Sequence, residues 1–228
     1  MMYSFKKSIK LIVFKGLFLL ISSFALSLSP AFAGSYDDFF KAVSLDDADT
    51  VVKLLNRGFD PNTPSPDGSQ GLMLAMQDSN LKVARVLVRY KQTQVDPRNK
   101  KDETPLMLAA LRGDMELVLA LINRGADINK PGWAPLHYAA TKGSVPIVRE
   151  LLDKSAYIDA ESPNGTTPLM MAAMYGSPEV VKILLEAGAD PTLKNGLGLT
   201  ALDFAKTMER NKESANLIAA FVAGWGSR

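Results

Sequence analysis

The sequence predicts an all-α solenoid of about six stacked helix-turn-helix repeats, with hairpin-like turns that project from one edge. The motif T-P-L-M-L-A-A begins at Thr104, and altered copies begin at Gln70, Ala134, Thr167 and Thr200, at intervals of 34, 30, 33 and 33 residues. A second motif, G-A-D-I-N or a variant of it, begins 21 residues after three of these starts. Recurrence near 33 residues is typical of stacked arrays, in which no single repeat has enough apolar surface to fold alone.

Each repeat carries the start and stop signals of two helices, and the copy around Thr104 shows them most regularly. The Thr104 hydroxyl can cap a helix whose first residue is Pro105, a position where the missing N–H is no loss. Asp114 can cap a second helix, predicted over residues 115–123 from apolar residues at helical spacing. Gly125 stands just past the end of that helix, where left-handed backbone is common.

One repeat domain is predicted over residues 34–224, followed by a loose tail at 225–228. The first repeat lacks the Thr-Pro start and is rich in acids, and the last loses its pattern in the polar run 207–213, as expected of terminal caps. The second repeat lacks the glycine after its second helix, which leaves the geometry of that loop open. Before the fourth repeat, the five residues from Asn129 to Trp133 replace the eight found elsewhere. The predicted repeats are 35–62, 63–98, 99–130, 131–161, 162–193 and 194–224.

The combined pattern resembles the ankyrin repeat, which runs G-x-T-P-L-H-x-A-A, then a second helix rich in V-V-x-L-L, then G-A-D-V-N. The resemblance covers about residues 35–224. It implies an α-helical solenoid that works by binding other proteins rather than by catalysis. It also implies that His137, in W-A-P-L-H-Y-A-A, has a structural hydrogen-bonding role between adjacent repeats. The residues at the equivalent position of other repeats are Met73, Met107, Met170 and Asp203.

Residues 1–33 have the features of a cleavable secretory signal. Lysines precede an apolar run over residues 16–28, and P-A-F-A at 30–33 provides a small-x-small cleavage pattern that would leave Gly34 as the new N-terminus. The alternative is an uncleaved membrane anchor, which is disfavoured because a membrane span needs ~20 apolar residues. The absence of cysteine fits an oxidising compartment. We therefore expect a bacterial protein of the periplasmic or secreted type, without a stable membrane span after cleavage.

Composition and motifs argue against nucleic-acid binding and catalysis. The chain has 26 basic and 24 acidic residues, but the first 33 residues hold four lysines and no acid, so the remainder has 22 against 24 and a net charge of −2. That balance lacks the basic footprint of a nucleic-acid-binding protein. One histidine and no cysteine cannot build the usual zinc sites, and no phosphate-binding loop, G-x-S-x-G or H-E-x-x-H motif is present. We expect no enzyme activity, no cofactor and no metal. Met170, Met171 and Met174 leave a soft-metal site open, although core packing and an adaptable binding surface are favoured.

The expected binding surface is the set of turn tips and the exposed side of each first helix, where the resemblance to ankyrin proteins places their partners. Lys130 is one of the turn-tip residues. Trp133 has two interpretations, because a flat aromatic is typical of interface hot spots but can also pack into its own shortened turn. The candidate partner-binding residues are Lys101, Leu111, Arg112, Trp133, Lys142, Met174, Tyr175, Leu199 and Met208.

The leading functional hypothesis is a non-enzymatic protein–protein interaction module that is exported from the cytoplasm and acts as a monomer. It would bind a partner protein, of an identity the sequence does not give, through the concave face and turn tips of repeats three to six. One alternative is a specific inhibitor or immunity protein of a periplasmic enzyme or toxin. Another is an accessory factor in envelope stress defence. An enzyme or metal carrier is a disfavoured third class.

Overall fold

The computed structural model describes residues 30–175 and 177–225, with side chains described for residues 34–175 and 177–224. These ranges contain twelve α-helices in six consecutive pairs, and the predicted all-α solenoid is confirmed. A 3₁₀ helix at Glu209–Asn211 precedes the last α-helix. The helices are α1 Pro30–Ser44, α2 Ala48–Asn56, α3 Gly71–Gln77, α4 Leu81–Arg89, α5 Pro105–Arg112, α6 Met115–Asn123, α7 Pro135–Lys142, α8 Val145–Asp153, α9 Pro168–Tyr175, α10 Pro178–Glu186, α11 Ala201–Ala205 and α12 Lys212–Trp225.

The helices form two rows. The odd-numbered helices contact one another in chain order and make the inner row, and the even-numbered helices make the outer row in the same way. Each inner helix also packs on the outer helix of its own pair. Helices of five to nine residues, which make up most of both rows, are too short to be stable alone in water, so packing between rows and between repeats stabilises them.

Small residues on the inner helices and branched residues on the outer helices fill the core. The paired alanines Ala109 and Ala110 of α5 are fully buried, and the corresponding pairs in α7 and α9 are buried as well. They let neighbouring inner helices approach closely, as their small size predicts. Leu117, Val118 and Leu121 of α6 are also fully buried, and they form the apolar face expected for the second helix.

The caps predicted for the third repeat are present. Thr104 Oγ1 accepts a hydrogen bond from the Met107 backbone N–H, and Pro105 is the first residue of α5. The Asp114 carboxylate accepts from the Leu117 N–H and caps α6. Gly125 has a φ of 83°, which is left-handed backbone that glycine adopts without a steric cost.

The second repeat has Gly71 at a motif position where other repeats have proline or alanine. The reason is a bulky side chain of the first repeat that packs against this position. The Phe39 ring packs against Gly71 so closely that a Cβ there would lie 2.7 Å from Phe39 Cε1. Phe39 is fully buried and stacks on Phe59, with 4.5 Å between the ring centroids. The altered motif is therefore an adaptation to the aromatic core of the N-terminal repeat.

The loop after α4, which lacks the expected glycine, is held by an arginine from the next repeat. The Arg124 guanidinium donates to the carbonyl oxygens of Tyr90, Lys91 and Thr93, each at 2.9 Å, and to that of Val88. A guanidinium suits this task because it carries five N–H donors in a planar fork. The side chain thus stabilises a loop whose geometry the sequence left open.

A ladder of side chains joins the turns of successive repeats on the second-motif side. Asn62 Oδ1 accepts from the Gln94 N–H at 2.7 Å, and Asn62 Nδ2 donates to the Gln92 carbonyl at 2.8 Å. Asn129 makes the same two kinds of bond to the backbone of residues 155–157. Each asparagine therefore uses both halves of its amide to fix the next turn.

Aspartates occupy the alternate rungs of this ladder. Asp96 accepts from the Asp127 N–H and Asp159 accepts from the Asp190 N–H, each with a shortest distance of 3.1 Å. Burial raises the pKa of both carboxyls, and the carboxylates of Asp127 and Asp190 raise it further, although the backbone hydrogen bonds oppose the rise. The folded state therefore disfavours the ionised form of the Asp96 and Asp159 carboxyls.

The C-terminal pair differs from the others. The inner helix α11 has only five residues, and the polar run 207–213 forms a turn, the 3₁₀ helix and the start of α12. Asn211 in that run is fully buried, and its Nδ2 donates to the Met174 carbonyl at the end of α9. The run therefore caps the array, as the sequence indicates, and also closes the end of the preceding inner helix.

Within the described ranges, no helix has the length and apolar character needed to cross a membrane. The predicted signal segment lies almost wholly outside the described residues, as does most of the tail at 225–228. Helix α1 begins at Pro30 and so includes the predicted cleavage position after Ala33. Signal cleavage stays a prediction.

Replacing Arg124 by lysine is expected to lower the free energy of unfolding by about 1.5–3 kcal/mol, because one ammonium cannot reach four carbonyls. Urea denaturation measures the change. Arg57→Lys is the matched control, since Arg57 stands in the same N-R-G context but is exposed, and no repeat precedes it in the described part of the chain. Its effect should stay within ~0.5 kcal/mol. Equal losses in both variants would contradict the role given to Arg124.

The double variant Asp96→Asn/Asp159→Asn is expected to raise the free energy of unfolding at pH 7 by about 0.5–1.5 kcal/mol per site, because each new amide can donate as Asn62 and Asn129 do. This gain in the free energy of unfolding over wild type should become smaller at acid pH. A raised folded-state pKa means that the wild-type aspartates stabilise the fold as the pH falls and lose that stabilisation as the pH rises through the folded pKa. Asp153→Asn, outside the ladder, should show neither effect. A double variant less stable than wild type at pH 7 would refute this account.

Candidate functional site

The shortened turn before the fourth repeat is built around a buried lysine. Lys130 was expected at an exposed turn tip, but its side chain is only 2% exposed, and that expectation was wrong. Its Nζ lies 2.5 Å from Asp102 Oδ2 and donates to the carbonyls of Pro131 and Trp133 at 3.0 and 3.4 Å. Hydrogen bonding to Lys130 is the largest cause of the lowered pKa of Asp102. Because the turn has few residues, the buried ammonium stabilises its conformation by bonding to its backbone carbonyls from within.

Trp133, at the end of that turn, is half-buried. Its ring meets the His137 ring edge-on, with 5.2 Å between centroids, and the Tyr138 ring similarly at 6.4 Å. Such tilted contacts are favourable between aromatic rings and fix the orientation of the indole. Both interpretations of Trp133 therefore hold in part, because the indole packs against its own repeat and part of its surface remains exposed to solvent.

That surface lines a groove of about 290 Å³ on the inner face of repeats three to five. Three inner helices contribute, and each brings residues from its central or last turn. Leu111 is 37% exposed and Tyr175 is 47% exposed, which leaves apolar and aromatic surface open. The lining residues are Leu111, Trp133, Tyr138, Thr141, Met171 and Tyr175.

One residue of the groove lining, Tyr138, is a hydrogen-bonded tyrosine. Tyr138 Oη donates to Glu103 Oε1 at 2.9 Å, and Asn99 Nδ2 donates to Glu103 Oε2 at 2.7 Å. Burial raises the pKa of the Tyr138 phenol, and the carboxylate adds to the rise. The phenol is therefore neutral at physiological pH, and its hydrogen bond to Glu103 holds it in place within the groove lining.

The structure brings together only some of the predicted binding residues. Leu111, Trp133 and Tyr175 line the groove, while Lys142 and Met174 lie in the last turns of α7 and α9 and are exposed beside it. The Lys142 stem covers Gly113 of the preceding repeat, where an added Cβ would come within 3.3 Å of Lys142 Cε. The three that remain exposed but outside the groove lining are Lys101, Leu199 and Met208.

Arg112 has partners within the chain. Its guanidinium donates to Ser79 Oγ at 3.0 Å and to the Gln77 carbonyl at 3.2 Å, both in the preceding repeat, and to the Leu108 carbonyl at 3.3 Å. The side chain is half-buried. It joins repeats two and three, and its guanidinium is directed at polar groups of repeat two.

Sequence reasoning missed Tyr138, Thr141 and Met171 as lining residues. The signal was available, because Tyr138 and Thr141 are three residues apart on α7 and so share one helix face. Met171 occupies in α9 the place that Tyr138 occupies in α7. The sequence could not show that this face of α7 lines the groove instead of packing against the neighbouring helices.

His137 has the structural role that the resemblance implied. It is fully buried, its Nδ1 accepts from the Ala134 N–H at 3.1 Å, and its Nε2 lies 2.9 Å from the Thr166 carbonyl of the next repeat. Because Nδ1 accepts, Nε2 carries the proton and donates. Burial lowers the pKa of His137, so the ring stays neutral. Met107 and Met170 replace it with a sulfur that accepts the same capping N–H but cannot make the bridge.

The methionines are divided between the core and the surface. Met170 is buried, and its sulfur accepts the Thr167 N–H. Met171 lines the groove and Met174 is exposed. Among the side chains described, no three His, Cys, Asp or Glu residues are grouped to hold a metal ion. Packing in the core and exposure at an adaptable surface are thus both seen among these methionines.

Two rows of stacked helices with an open inner groove define a repeat solenoid that presents an extended surface. The chain belongs to the ankyrin repeat family, because the family model described as "Ankyrin repeats (3 copies)" matches residues 39–131 and 129–195. Ankyrin repeats generally mediate protein–protein interaction and are typically not enzymatic.

Known relatives share the repeats but are much longer. The "Ankyrin repeat and KH domain-containing protein mask" of Drosophila melanogaster is 38% identical over 88 residues, which are 37% of this chain and 2% of that protein. The "Ankyrin repeat and SAM domain-containing protein 6" of Rattus norvegicus is 32% identical over 161 residues, 70% of this chain and 15% of that protein. The chain thus spans only a small part of these relatives.

A solved structure shows the same fold at the scale of the whole array. The crystal structure of an ankyrin repeat domain from Acinetobacter baumannii AYE matches with a TM-score of 0.69 and 26% identity. The match covers 81% of this chain and 97% of that chain.

His137→Met, which installs the residue found at positions 107 and 170, is expected to lower the free energy of unfolding at pH 8 by about 0.5–1.5 kcal/mol, because the Nε2 bridge to Thr166 is lost. The difference in the free energy of unfolding between this variant and wild type should shrink below about pH 6.5. There the histidine of the unfolded wild-type chain becomes protonated while the buried ring of the folded chain stays neutral, so the wild type loses stability. Denaturation between pH 5 and 8 measures both effects. Met170→Leu should give a shift that does not vary with pH, and a constant difference for His137→Met would disprove the neutral buried ring.

Proposed function

We propose that this chain is an exported, non-enzymatic binding protein that acts as a monomer and holds a partner protein against the concave face of repeats three to six. The observation that carries the proposal is the groove lined by Leu111, Trp133 and Tyr175. Aromatic rings that are rigid before binding give large contact area at a small entropy cost, which is typical of interface hot spots.

The charges around the groove indicate what the partner presents. Lys142 is exposed in the last turn of α7, directly after the lining residue Thr141, whereas the Arg112 guanidinium is bound to repeat two. Glu103 is engaged by Tyr138 and Asn99. The favoured partner element therefore has an apolar or aromatic side chain that enters the groove and an acidic side chain that meets Lys142.

Export is supported by the N-terminal sequence alone. A lysine-bearing start, a short apolar run and the A-F-A pattern that ends at Ala33 are the parts of a secretory signal. A chain without cysteine is also suited to an oxidising compartment. We propose the periplasm as its location, with Gly34 as the first residue of the mature protein.

Co-purification tests the binding face. The C-terminally tagged wild-type chain should recover a partner from the periplasmic fraction after crosslinking, and Trp133→Ala/Tyr175→Ala should weaken binding at least about 30-fold, since each hot-spot ring contributes ~2 kcal/mol or more. Tyr175→Lys alone should also weaken it, and this variant keeps the Trp133 packing. Edman sequencing of the recovered chain should begin at Gly34.

The matched control is Leu45→Ala/Tyr157→Ala, which removes a leucine and an aromatic ring that are 67% and 66% exposed outside the groove. It should leave the partner set unchanged. An unchanged partner set in Trp133→Ala/Tyr175→Ala would reject the proposed face, and a recovered chain that keeps residues 1–33 would reject cleavage. One stoichiometric partner would identify an inhibitor or immunity protein, and several weaker partners would indicate a stress-defence factor.

A further inference from the structure

A second groove, of about 320 Å³, lies on the inner face of the first two repeats, away from the Trp133 groove. Helices α1 and α3 and the turn at residues 64–69 enclose it. Its walls are apolar and include Phe40, Val43 and Leu74. Three exposed carboxylates, those of Asp37, Asp67 and Asp78, line it as well.

The acidic charge at this groove is not neutralised within the protein. Among the described residues, no lysine or arginine forms an ion pair with Asp37, Asp67 or Asp78. Lys41 is one helical turn from Asp37 and is the only basic residue of the described part of α1. Lys100 acts on Asp67 from a distance without pairing with it. Three acids against these two lysines leave a net negative potential over an apolar surface, where charge complementarity selects a cationic partner.

The turn that carries Asp67 is fixed before any partner arrives. Ser65 Oγ donates to Asp67 Oδ1 at 2.5 Å, and Ser69 donates to the same carboxylate through its N–H at 3.2 Å and its Oγ at 3.1 Å. These bonds keep the pKa of Asp67 below its usual range, so the carboxylate is ionised at neutral pH.

The aromatic wall is also held in place. Tyr36 Oη donates to the Pro64 carbonyl at 3.1 Å, which ties α1 to the turn across the groove. The Tyr36 and Phe40 rings lie in contact, with 4.8 Å between their centroids. A groove whose walls are fixed in advance loses little conformational entropy on binding.

We propose that this groove is a second docking site, and that it binds a cationic peptide segment in which an apolar side chain is flanked by lysine or arginine. The apolar side chain enters between Phe40 and Leu74, and the flanking cations meet the carboxylates of Asp37, Asp67 and Asp78. The site does not depend on the Trp133 groove, whose lining contains no carboxylate.

Fluorescence anisotropy with a labelled acetyl-Gly-Lys-Phe-Lys-Leu-Arg-Gly-amide peptide tests the site on the purified protein in low salt. The peptide should bind, and its counterpart with glutamate in place of lysine and arginine should not. Asp37→Lys/Asp78→Lys should weaken binding about 10-fold or more, since two attractive charges become repulsive. Asp67 is left intact because it holds its own turn. Leu74→Ala, which keeps all charges, should also weaken binding.

The matched control is Asp38→Lys/Asp49→Lys, which makes the same charge change at two exposed acids of the same repeat outside the groove. It should change affinity less than about 3-fold, and thermal melts should show that every variant is folded. Equal losses in control and groove variants would overturn the site in favour of diffuse attraction, and binding of the glutamate peptide would overturn it outright. Loss of peptide binding in Trp133→Ala/Tyr175→Ala would place the peptide in the other groove. A dimer in sedimentation that Asp37→Lys/Asp78→Lys abolishes would show a second copy of the chain as the occupant instead.

Discussion

Stacking of each inner helix on the inner helices of its neighbours is the contact on which the rest of this protein depends. None of the repeats encloses a core of its own, and the fully buried alanines Ala109, Ala110, Ala139 and Ala140 let helices of eight residues lie close together. The grooves follow from the same contact, because each is made by side chains from consecutive helices that stacking brings side by side. A loss of stacking would therefore remove the binding surface together with the fold.

Irregular repeats are completed by polar side chains from other parts of the array. Arg124 supplies donors to the loop that lacks its glycine, and the Lys130 ammonium closes the turn that lacks three residues. Asn211 reaches the end of α9 from the C-terminal cap. In each case the side chain donates to a backbone carbonyl in a part-buried hydrogen bond, and leaving such a carbonyl without a partner would cost stability. Deviations from the repeat pattern thus mark the places where neighbouring repeats are most specifically joined.

The inner face is divided chemically along its length. Carboxylates line the groove of repeats one and two, whereas exposed Lys142 directly follows Thr141, which lines the groove of repeats three to five. A near-neutral net charge conceals this separation, since opposite signs cancel in the total. A face with two charge signs fixes the direction in which an extended partner can lie, because the reversed orientation would bring like charges together.

The sequence by itself determined the repeat length and the helix boundaries of the regular repeats, because caps, prolines and helix-ending glycines act locally and recur at fixed spacing. The structural role of His137 followed from the resemblance to ankyrin repeats. The sequence also identified Leu111, Trp133 and Tyr175 as surface candidates. Only the tertiary structure decided that these three line one groove with Tyr138, that Lys130 is buried and that Arg112 bonds to the preceding repeat. Those outcomes depend on contacts between residues about 30 positions apart, whose relative orientation is set by stacking and leaves no local pattern in the chain.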